Sequence, residues 1–502
     1  MDIFSHILYG FQIALIPVNI LACFAGVILG TLVGVLPGLG PVATMSMLLP
    51  ITLKMPPVTA VIMLSGLYYG AQYGGSITSI LVNVPGEATT VVTCLDGYKM
   101  AQKGRGGPAL GISAIGSFIG GTLSLIGVMF LAAPIASFAL KFGPPEYFAI
   151  CFLALTIVTS LAAKSTLKGF VMAMLGMLVG TVGMDLGTGM SRFTFGIQTL
   201  ADGIGLIPVI MGLFGVGEIL LNVEKLVGMN VGDTKIGKIW PTVKDWIDSR
   251  WAILRGTVIG FVLGLIPGSG AIISPFVSYA VEKKISKHPE KFGTGVIEGV
   301  AGPETANNAS SQASFIPLLS LGIPSNVVTA VLLGALMIYG VEPGPLLVAN
   351  RPDMFWGVIT SMYLGNVMLV VLNMPLIGLW VQILRIPYRL LMPLILLFCL
   401  IGVYSINGNV VEVWIMALFG LIGYLMNKCS YEPAPFVMGL VLSPIVEDSF
   451  RQSLVLSDGS FLIFFTRPLS GVLMLISVAV LAGYCVPLFK RKIEVIKENV
   501  AD

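Results

Sequence analysis

The chain has 502 residues, of which 56% are hydrophobic and only 11% are charged, and its formal net charge is +3. Ordinary soluble proteins carry about 25% charged residues, so this composition excludes a water-soluble enzyme or binding domain and predicts an integral membrane protein. The 60 glycines fit helices that pack closely or break within a membrane. The small, scattered net charge gives no indication of a nucleic-acid-binding groove.

Apolar segments long enough to cross the membrane, about 20 residues each, recur along the whole chain. They predict an all-α polytopic membrane protein with about 12 transmembrane helices. The candidate spans are 13–36, 58–84, 108–139, 146–163, 169–184, 200–221, 252–266, 313–339, 355–382, 391–405, 411–427 and 469–488. Shorter apolar pieces at 41–53, 271–280 and 434–446 are predicted to be half-helices or re-entrant arms.

A polar stretch divides the chain near its middle and predicts four segments. These are a first transmembrane repeat unit (1–221), a polar linker (222–250), a second transmembrane repeat unit (251–488) and a basic cytoplasmic tail (489–502). Within and just beyond the linker, Lys238 to Trp251 carries two tryptophans beside mixed charges. This pattern is typical of a helix that lies in the membrane interface.

The two transmembrane units resemble each other in sequence. Gly26 to Gly40 reads GVILGTLVGVLPGLG, and Gly256 to Gly270 reads GTVIGFVLGLIPGSG, with five glycines and one proline in common. Val84-Pro85-Gly86 and Ile323-Pro324-Ser325 give a second match in the same order. The two units are therefore predicted to be repeats of one ancestral unit.

Positive charges in the loops predict that these repeats have opposite orientations. Loop 53–57 has one lysine or arginine and loop 95–107 has three, whereas loop 281–293 has four and loop 340–354 has one. Positive residues are retained on the cytoplasmic side, so the low–high order of the first unit is inverted in the second. Inverted repeats with broken helices or re-entrant hairpins are typical of secondary transporters, which bind substrate near the membrane midplane.

Proline and glycine interrupt apolar runs at corresponding points of the two units. Proline removes a backbone donor and glycine admits positive φ, so the helices are expected to stop there. At membrane depth, free backbone groups are tolerated only inside protein or along a watery cavity, so such a pair of breaks indicates a binding site. The residues of this first pair of candidate substrate or cation sites are Pro37, Gly38, Gly40, Pro267, Gly268, Ser269 and Gly270. Ordinary loops at the membrane surface are the alternative.

A second pair of breaks carries an ionisable residue. Its candidate binding residues are Asn83, Pro85, Gly86 and Glu87 in the first unit, with Pro324, Ser325 and Asn326 in the second. Glu87 lies in an apolar stretch, where an ionisable group is costly and usually faces a cavity or a partner. Two interpretations stay open, since Glu87 could bind a coupling cation or could lie at the interface.

The segment Gly302 to Gln312 combines small residues with amide and hydroxyl side chains, just before the apolar run 313–339. Such neutral groups suit a carboxylate or a sodium ion, so Asn307 and Asn308 are further candidate ligands. A helix cap with an exposed turn is the alternative. The hypothesis for coupling is Na⁺ or H⁺, with a sodium site near Gly38, Gly268 and Asn307, and neither an organic cofactor nor a catalytic residue is expected.

A helix in the first unit combines tyrosines with regularly spaced glycines. Gly66, Gly70 and Gly74 recur every four residues, which indicates close helix packing. The role of the polar residues on the same helix stays open: Tyr68, Tyr69, Gln72 and Tyr73.

Six of these motifs, in order, resemble the large membrane subunit (TctA) of the bacterial tripartite tricarboxylate transporter family. They begin at Gly34 (GVLPGLGP), Tyr69 (YGAQYGGS), Asn83 (NVPGE), Gly264 (GLIPGSG), Gly302 (GPETANN) and Leu321 (LGIP). The resemblance implies a secondary active transporter subunit of the bacterial inner membrane that imports tricarboxylate-like organic acids with a coupled cation. It also implies two partners, a small four-helix membrane subunit and a periplasmic solute-binding protein that delivers the substrate.

Two other functions are alternatives to transport. An intramembrane enzyme needs an activated nucleophile, paired carboxylates or a metal site, and the sequence has no G-x-S-x-G or H-E-x-x-H motif. A passive anion channel is the other rival, but simple pores are commonly symmetric oligomers rather than inverted repeats. The chain is therefore expected not to be an enzyme.

Overall fold

The structure is a computed structural model that describes residues 3–36, 40–160, 165–185, 187–224, 237–268, 270–384 and 388–483. These parts of the chain are mostly helical, in agreement with the all-α prediction. Two short strands, Gly183–Met184 and Ser191–Arg192, pair in antiparallel fashion within the described residues.

The helices follow one another along the chain with short connections. They are α1 (Ile3–Ala14), α2 (Pro17–Val35), α3 (Pro41–Thr52), α4 (Pro57–Val82), α5 (Thr93–Gln102), α6 (Gly106–Ala139), α7 (Pro144–Ser160), α8 (Thr166–Gly180), α9 (Leu206–Ile210), α10 (Gly217–Glu224), α11 (Val243–Gly264), α12 (Gly270–Ile285), α13 (Glu298–Ala313), α14 (Val327–Ile338), α15 (Leu347–Asn350), α16 (Pro352–Asn373), α17 (Ile377–Ile383), α18 (Tyr388–Asn407), α19 (Val410–Lys428), α20 (Pro433–Leu456), α21 (Ile463–Thr466) and α22 (Pro468–Gly483). Short 3₁₀ turns lie at Ala88–Thr90, Gln198–Asp202 and Pro289–Lys291, and π-helical turns at Met211–Val216 and Pro317–Leu321.

Within the described residues, five helical segments are long and apolar enough to cross a membrane: α2, α6, Leu206–Glu224, α16 and α19. The chain is thus a multi-pass membrane protein, while the count of about 12 spans stays a prediction. In two of the predicted spans the interruption lies at a proline. Pro17 starts a new helix inside 13–36, and Pro375 lies in the turn that separates α16 from α17 inside 355–382, because proline cannot donate a backbone hydrogen bond.

The last part of the polar linker belongs to helix α11, which begins at Val243. Thr242 caps α11: its hydroxyl accepts a hydrogen bond from the Asp245 amide, and the Asp245 carboxylate accepts one from the Thr242 amide. Residues 243–250 therefore form the first turns of a helix that continues to Gly264. Residues 225–236 of the linker and the predicted basic tail, 489–502, lie outside the described residues.

The chain forms two compact units, and each contains parts of both predicted repeats. The first comprises Met1–Leu140, Gly205–Ile266 and Gly270–Tyr424, and the second comprises Lys141–Ile204, Pro267–Ser269 and Leu425–Asp502. The predicted division at 222–250 concerns the repeats and stays a prediction.

Two helix pairs of the first compact unit pack through glycine. α2 lies against α4, and α11 lies against α13, so closely that an added Cβ on either glycine stripe would overlap with the facing backbone. The stripes are Gly26, Gly30 and Gly34 on α2, and Gly256, Gly260 and Gly264 on α11. Gly66, Gly70 and Gly74 approach α2 in the same way from α4, so the four-residue glycine spacing marks helix packing.

Loops of similar charge lie together in the first compact unit. The Lys103 ammonium donates to the Thr294 carbonyl at 2.6 Å, which joins the lysine-rich loops before α6 and after α12. At the lysine-poor loops, the Thr52 hydroxyl bonds to the Tyr339 hydroxyl at 2.5 Å. Asp96 on α5 also holds the lysine-rich loop after α12, because its carboxylate accepts hydrogen bonds from the Gly293 and Gly295 amides.

Candidate functional site

One face of α4 carries three buried polar residues. Tyr68, Gln72 and Ser76 are spaced four residues apart, so they lie one above another along the helix. Each is at most 2% exposed. Their partners belong to three different parts of the chain, and together they build the candidate site. Two of the tyrosines left open by the sequence lie elsewhere: the Tyr69 hydroxyl is near the Cys23 sulfur, and the Tyr73 hydroxyl donates to the Ala114 carbonyl at 3.3 Å.

The two chain breaks with the V-P-G and I-P-S motifs are attached to this face of α4 one helical turn apart, the first through Gln72 and the second through Tyr68. The Asn326 side-chain amide donates to the Tyr68 hydroxyl at 3.0 Å. The Ser311 and Ser314 side chains interact with the same hydroxyl, and the Glu87 carboxylate is close enough to act on it electrostatically. These five residues are called the Tyr68 cluster below.

The first break is open and held by few bonds. Asn83 ends α4 with a left-handed backbone (φ 59°), and both Asn83 and Pro85 are exposed. Gly86 packs so tightly against the Gly34 carbonyl and the Gly75 backbone that a side chain would not fit. The Thr89 hydroxyl then donates to the Gln72 amide oxygen at 2.7 Å, which ties the break to α4.

The second break is buried and hydrogen-bonded. Gly322 has a left-handed backbone (φ 70°) that ends the π-helical turn, and the buried Pro324 follows. The Asn326 side-chain oxygen accepts from the Thr329 amide at 2.9 Å, and the Ser325 and Asn326 amides both donate to the Thr329 hydroxyl. These amides at the start of α14 are thus occupied by the protein itself.

The P-G-L-G and P-G-S-G breaks are described only in part. Pro37, Gly38 and Ser269 lie outside the described residues. Gly40 precedes α3, whose start has no side-chain cap, and Gly270 is the first residue of α12.

Pro267 and Gly268 belong to the second compact unit, where Gly268 has φ 119° and lies against the Ala154 carbonyl. Of the three residues named for a sodium site, only Gly268 and Asn307 are therefore described, and they belong to different units. The sodium site stays a hypothesis.

The polar segment Gly302–Gln312 is a buried helix, not an exposed turn. Every residue of α13 from Gly299 to Ala313 is buried, including the carboxylate of Glu304 at 1% exposed. That carboxylate accepts hydrogen bonds from the hydroxyls of Ser76 (2.5 Å), Ser113 (3.1 Å) and Thr93. All three donors are neutral, and they come from α4, α6 and α5. These four residues are called the Glu304 cluster.

Amide groups on the same helix lack partners. Among the described residues, neither polar atom of the Asn307 side chain has a hydrogen bond, although the residue is 1% exposed. The Asn308 amide nitrogen donates to the Ser117 hydroxyl at 2.7 Å, but its oxygen is unpartnered. Asn307 lies one turn before Ser311 of the Tyr68 cluster, and an unpartnered buried amide costs about 1–3 kcal/mol, which a polar ligand would recover.

Sequence reasoning did not select Glu304 or its three hydroxyl donors. The signal was present, because Glu304 is an ionisable residue in a run of small neutral residues, like Glu87. The donors carried no such signal, since Ser76, Thr93 and Ser113 look like ordinary helix residues until the fold brings them to one carboxylate.

The second compact unit holds a carboxylate with arginines instead. Both oxygens of Asp185, in the loop after α8, accept from the Arg451 guanidinium at 2.9 Å. Arg192 adds a second ion pair to Glu447 at 2.6 Å. The hydrogen bonds from Arg451 hold the pKa of Asp185 well below its usual range.

A family model described as "Tripartite tricarboxylate transporter TctA family" matches residues 20–438, which is most of the chain. The chain belongs to the TctA family. This confirms the resemblance seen in the six motifs, and it makes the chain a membrane component of a tripartite transporter, in a family of transporters rather than enzymes.

Two relatives from Agrobacterium vitis are similar to this chain. One, named "Uncharacterized 52.8 kDa protein in TAR-I ttuC' 3'region", is 49% identical over 98% of both chains. The other, named "Uncharacterized protein in TAR-II ttuC' 3'region", is 49% identical over 43% of this chain and 89% of its own length. No solved structure matches the chain.

Proposed function

We propose that this TctA-family chain is the transport subunit of an importer that carries small, tricarboxylate-like organic acids across the bacterial inner membrane with a coupled cation. In this proposal the chain works with a small four-helix membrane subunit and receives its substrate from a periplasmic solute-binding protein. Membership of a tripartite transporter family supports the existence of further subunits.

The attachment of both chain breaks to one face of α4 is the observation that carries this proposal. Asn326 of the second break donates to the Tyr68 hydroxyl, and Thr89, just after the first break, donates to the Gln72 amide oxygen one helical turn away. Secondary transporters place their substrate where the interrupted helices of two repeats adjoin. The unpartnered amide of Asn307, one turn from this cluster, supports a polar ligand there.

The chemistry of the cluster suits an anion that is accompanied by cations. Hydroxyl and amide groups can hold carboxylate oxygens without a permanent positive charge. A di- or tricarboxylate would still leave uncompensated negative charge, which costs several kcal/mol at membrane depth. A co-transported Na⁺ or H⁺ offsets that charge, so substrate affinity and cation concentration are linked, and the linkage is reciprocal.

The contacts between loops support opposite orientations of the two repeats. Lys103 meets Thr294 at the lysine-rich loops, and Thr52 meets Tyr339 at the lysine-poor ones, which is the pairing that inversion would produce. We expect cysteines at Lys103 and Lys287 to react only from the cytoplasm, and cysteines at Lys54 and Arg351 only from the periplasm. Labelling whole cells with an impermeant thiol reagent tests this, and reaction of Lys103→Cys and Arg351→Cys from the same side would refute it.

Uptake by the reconstituted complex tests the function as a whole. Proteoliposomes that contain this chain and the membrane subunit, supplied with the solute-binding protein, should accumulate a radiolabelled carboxylate above its external concentration when a sodium or proton gradient is imposed. A panel of mono-, di- and tricarboxylates would identify the substrate class. Equilibration without accumulation would favour a passive anion channel, and turnover of a lipid or peptide would favour an intramembrane enzyme.

A further inference from the structure

The Glu304 cluster is a built site that the Tyr68 cluster does not include. Glu304 is 1% exposed, and its carboxylate accepts from three hydroxyls that belong to three different helices. A carboxylate without a cationic partner is expensive to bury in its charged form. Hydroxyls can both donate and accept, so the same cage holds the charged and the protonated form.

Near Glu304, Arg255 of α11 and the acidic residues of α5 and α12 have other partners, whereas one carboxylate oxygen of Glu87 has none among the described residues. The titratable groups on the elements packed against this part of α13 are Tyr73 on α4, Glu87 before the 3₁₀ turn, Cys94 and Asp96 on α5, Arg255 on α11, and Tyr279 and Glu282 on α12. Arg255 forms a bidentate pair with Glu282, at 2.7 and 2.6 Å. Asp96 accepts from the Tyr279 hydroxyl and from backbone amides. Among the described residues, the Glu304 carboxylate therefore has no cationic partner and accepts hydrogen bonds only from the three hydroxyls.

Two of the residues that carry these hydroxyls also line a narrow cleft. Its walls include Ser76 and Ser113, together with Tyr73, Ile239 and Asn373. The Asn373 side-chain oxygen has no partner among the described residues, so the cleft offers a polar group to a water molecule. A proton could therefore pass between water in the cleft and the carboxylate through a hydroxyl.

Glu304 and the Tyr68 cluster share α4. Ser76 bonds to Glu304, Gln72 bonds to Thr89 at the first break, and Tyr68 bonds to Asn326 at the second break. A change in the charge of Glu304 is thereby connected to the points where the two breaks are attached to α4, over two turns of one helix face.

We propose that Glu304 is the group that binds and releases the coupling proton, with Ser76, Thr93 and Ser113 as its positioning residues. When substrate is taken up, a hydronium ion transfers a proton to a carboxylate oxygen and becomes water. When substrate is released, the carboxyl O–H bond breaks and a water molecule in the cleft takes the proton. The hydroxyl oxygens lie at hydrogen-bonding distance from the carboxylate, which fits a shared proton better than an intervening sodium ion. The assignment rests on the proposed cation-coupled transport.

Infrared difference spectroscopy of the purified full-length chain tests the protonation step without transport. Wild-type protein titrated from alkaline to acidic pH should gain a protonated-carboxyl C=O band from a buried group, and Glu304→Gln should lack that band. Persistence of the full band in Glu304→Gln would overturn the assignment. This result does not depend on whether the chain transports carboxylates.

Proteoliposomes with the complete transport complex test the coupling. A gradient of about one pH unit supports about tenfold accumulation per coupled proton, and Glu304→Gln should abolish it while exchange of external for internal substrate remains. Accumulation by Glu304→Gln that still follows the pH gradient, or a wild type driven by sodium alone, would overturn the proposal. Absence of any uptake by the wild type would instead refute the transport function.

Ser113→Ala provides a milder variant that should fold. Loss of one hydrogen-bond donor destabilises the charged form of the Glu304 carboxyl group relative to its protonated form. Protonation should therefore occur at higher pH, and the pH dependence of uptake should shift in the same direction. Ser124→Ala is the matched control on α6, because its buried hydroxyl donates to the Ala309 carbonyl at 2.7 Å and not to Glu304. Equal pH profiles for Ser113→Ala, Ser124→Ala and the wild type would contradict a positioning role for Ser113.

Discussion

The two compact units hold carboxylates in different ways. In the second unit, Asp185 accepts two hydrogen bonds from the Arg451 guanidinium, which carries a permanent charge. In the first unit, Glu304 accepts from the neutral hydroxyls of Ser76, Thr93 and Ser113. Asp185 lies in a loop, whereas Glu304 lies in the middle of a buried helix.

This difference separates a structural carboxylate from one that can change its state. An arginine favours only the charged form of its partner, so Asp185 is fixed as an anion and ties the loop to α20. Hydroxyls stabilise both forms of a carboxyl group, so Glu304 can gain a proton without losing its surroundings. The contrast therefore predicts pH-sensitive behaviour around Glu304 and constant behaviour around Asp185 near neutral pH.

Removal of two of the hydroxyls that donate to the Glu304 carboxylate should have the largest effect on stability. The double variant Ser76→Ala, Thr93→Val leaves a buried carboxylate with one donor, and each lost donor costs about 1–3 kcal/mol of unfolding free energy. The loss should be greater at alkaline pH, where the carboxylate is charged, than at acidic pH. Thermal unfolding of the purified chain at both pH values measures it.

The matched control for this double variant is Ser124→Ala, Thr360→Val. Both of its hydroxyls are buried and donate to backbone carbonyls, so their removal should cost the same at both pH values. A loss in the first double variant that is equally independent of pH would remove the distinction between Glu304 and Asp185.

A change in the packing of α11 against α13 should have the next largest effect on stability. Gly260 meets the Ala306 backbone, so Gly260→Ala forces α11 and α13 apart and should cost about 1–3 kcal/mol of stability. Gly378→Ala is the control, because no atom lies within 4 Å of the added methyl group. Comparable melting temperatures for the two variants would show that α13, and with it Glu304, is not positioned by the glycine stripe.

Loss of an unpartnered amide should have a smaller effect that is seen in transport rather than in stability. Asn307→Ala removes no hydrogen bond between described side chains, but it removes a candidate ligand. We expect the carboxylate concentration for half-maximal uptake to rise about tenfold, the equivalent of one polar contact. The exposed Asn350→Ala should leave that concentration unchanged, and an unchanged value in Asn307→Ala as well would remove Asn307 from the substrate site.

Neutralisation of an arginine in the second unit should have the smallest effect. The pKa of Asp185 is lowered in the folded chain, so its stabilising contribution is present above its unfolded pKa of about 3.9 and shrinks as the pH falls below that value. Arg451→Gln should therefore melt lower than wild type at neutral pH, and the gap should narrow on strong acidification. A gap that widens on acidification would contradict the charged state assigned to Asp185.

Much of the helical fold follows from local sequence, because proline, glycine and apolar length act over short distances. The predicted span 58–84 matches α4, and the piece 41–53 matches α3. The break expected after Val82 occurs at Asn83, and the one inside 313–339 occurs at Gly322.

The candidate site could be predicted only in part, because its partners are distant in the chain. The chain break predicts Asn326 as a site residue, but nothing in the local sequence predicts Tyr68 as its partner. Glu304 and Ser76 are separated by 228 positions, and a helix as polar as α13 is buried only because other helices surround it. No local pattern carries that information.

Protection of a cysteine by substrate tests the central claim most directly, namely that the carboxylate site lies where the two breaks are attached to α4. In a cysteine-free background with normal uptake, Ala88→Cys, beside Glu87 at the exposed first break, would be labelled with a small permeant thiol reagent, and the exposed Ser460→Cys would serve as control. The account predicts that a transported carboxylate, together with its coupling cation, slows the labelling of position 88 and leaves position 460 unaffected. Equal labelling of position 88 with and without a carboxylate that the complex demonstrably transports would contradict it.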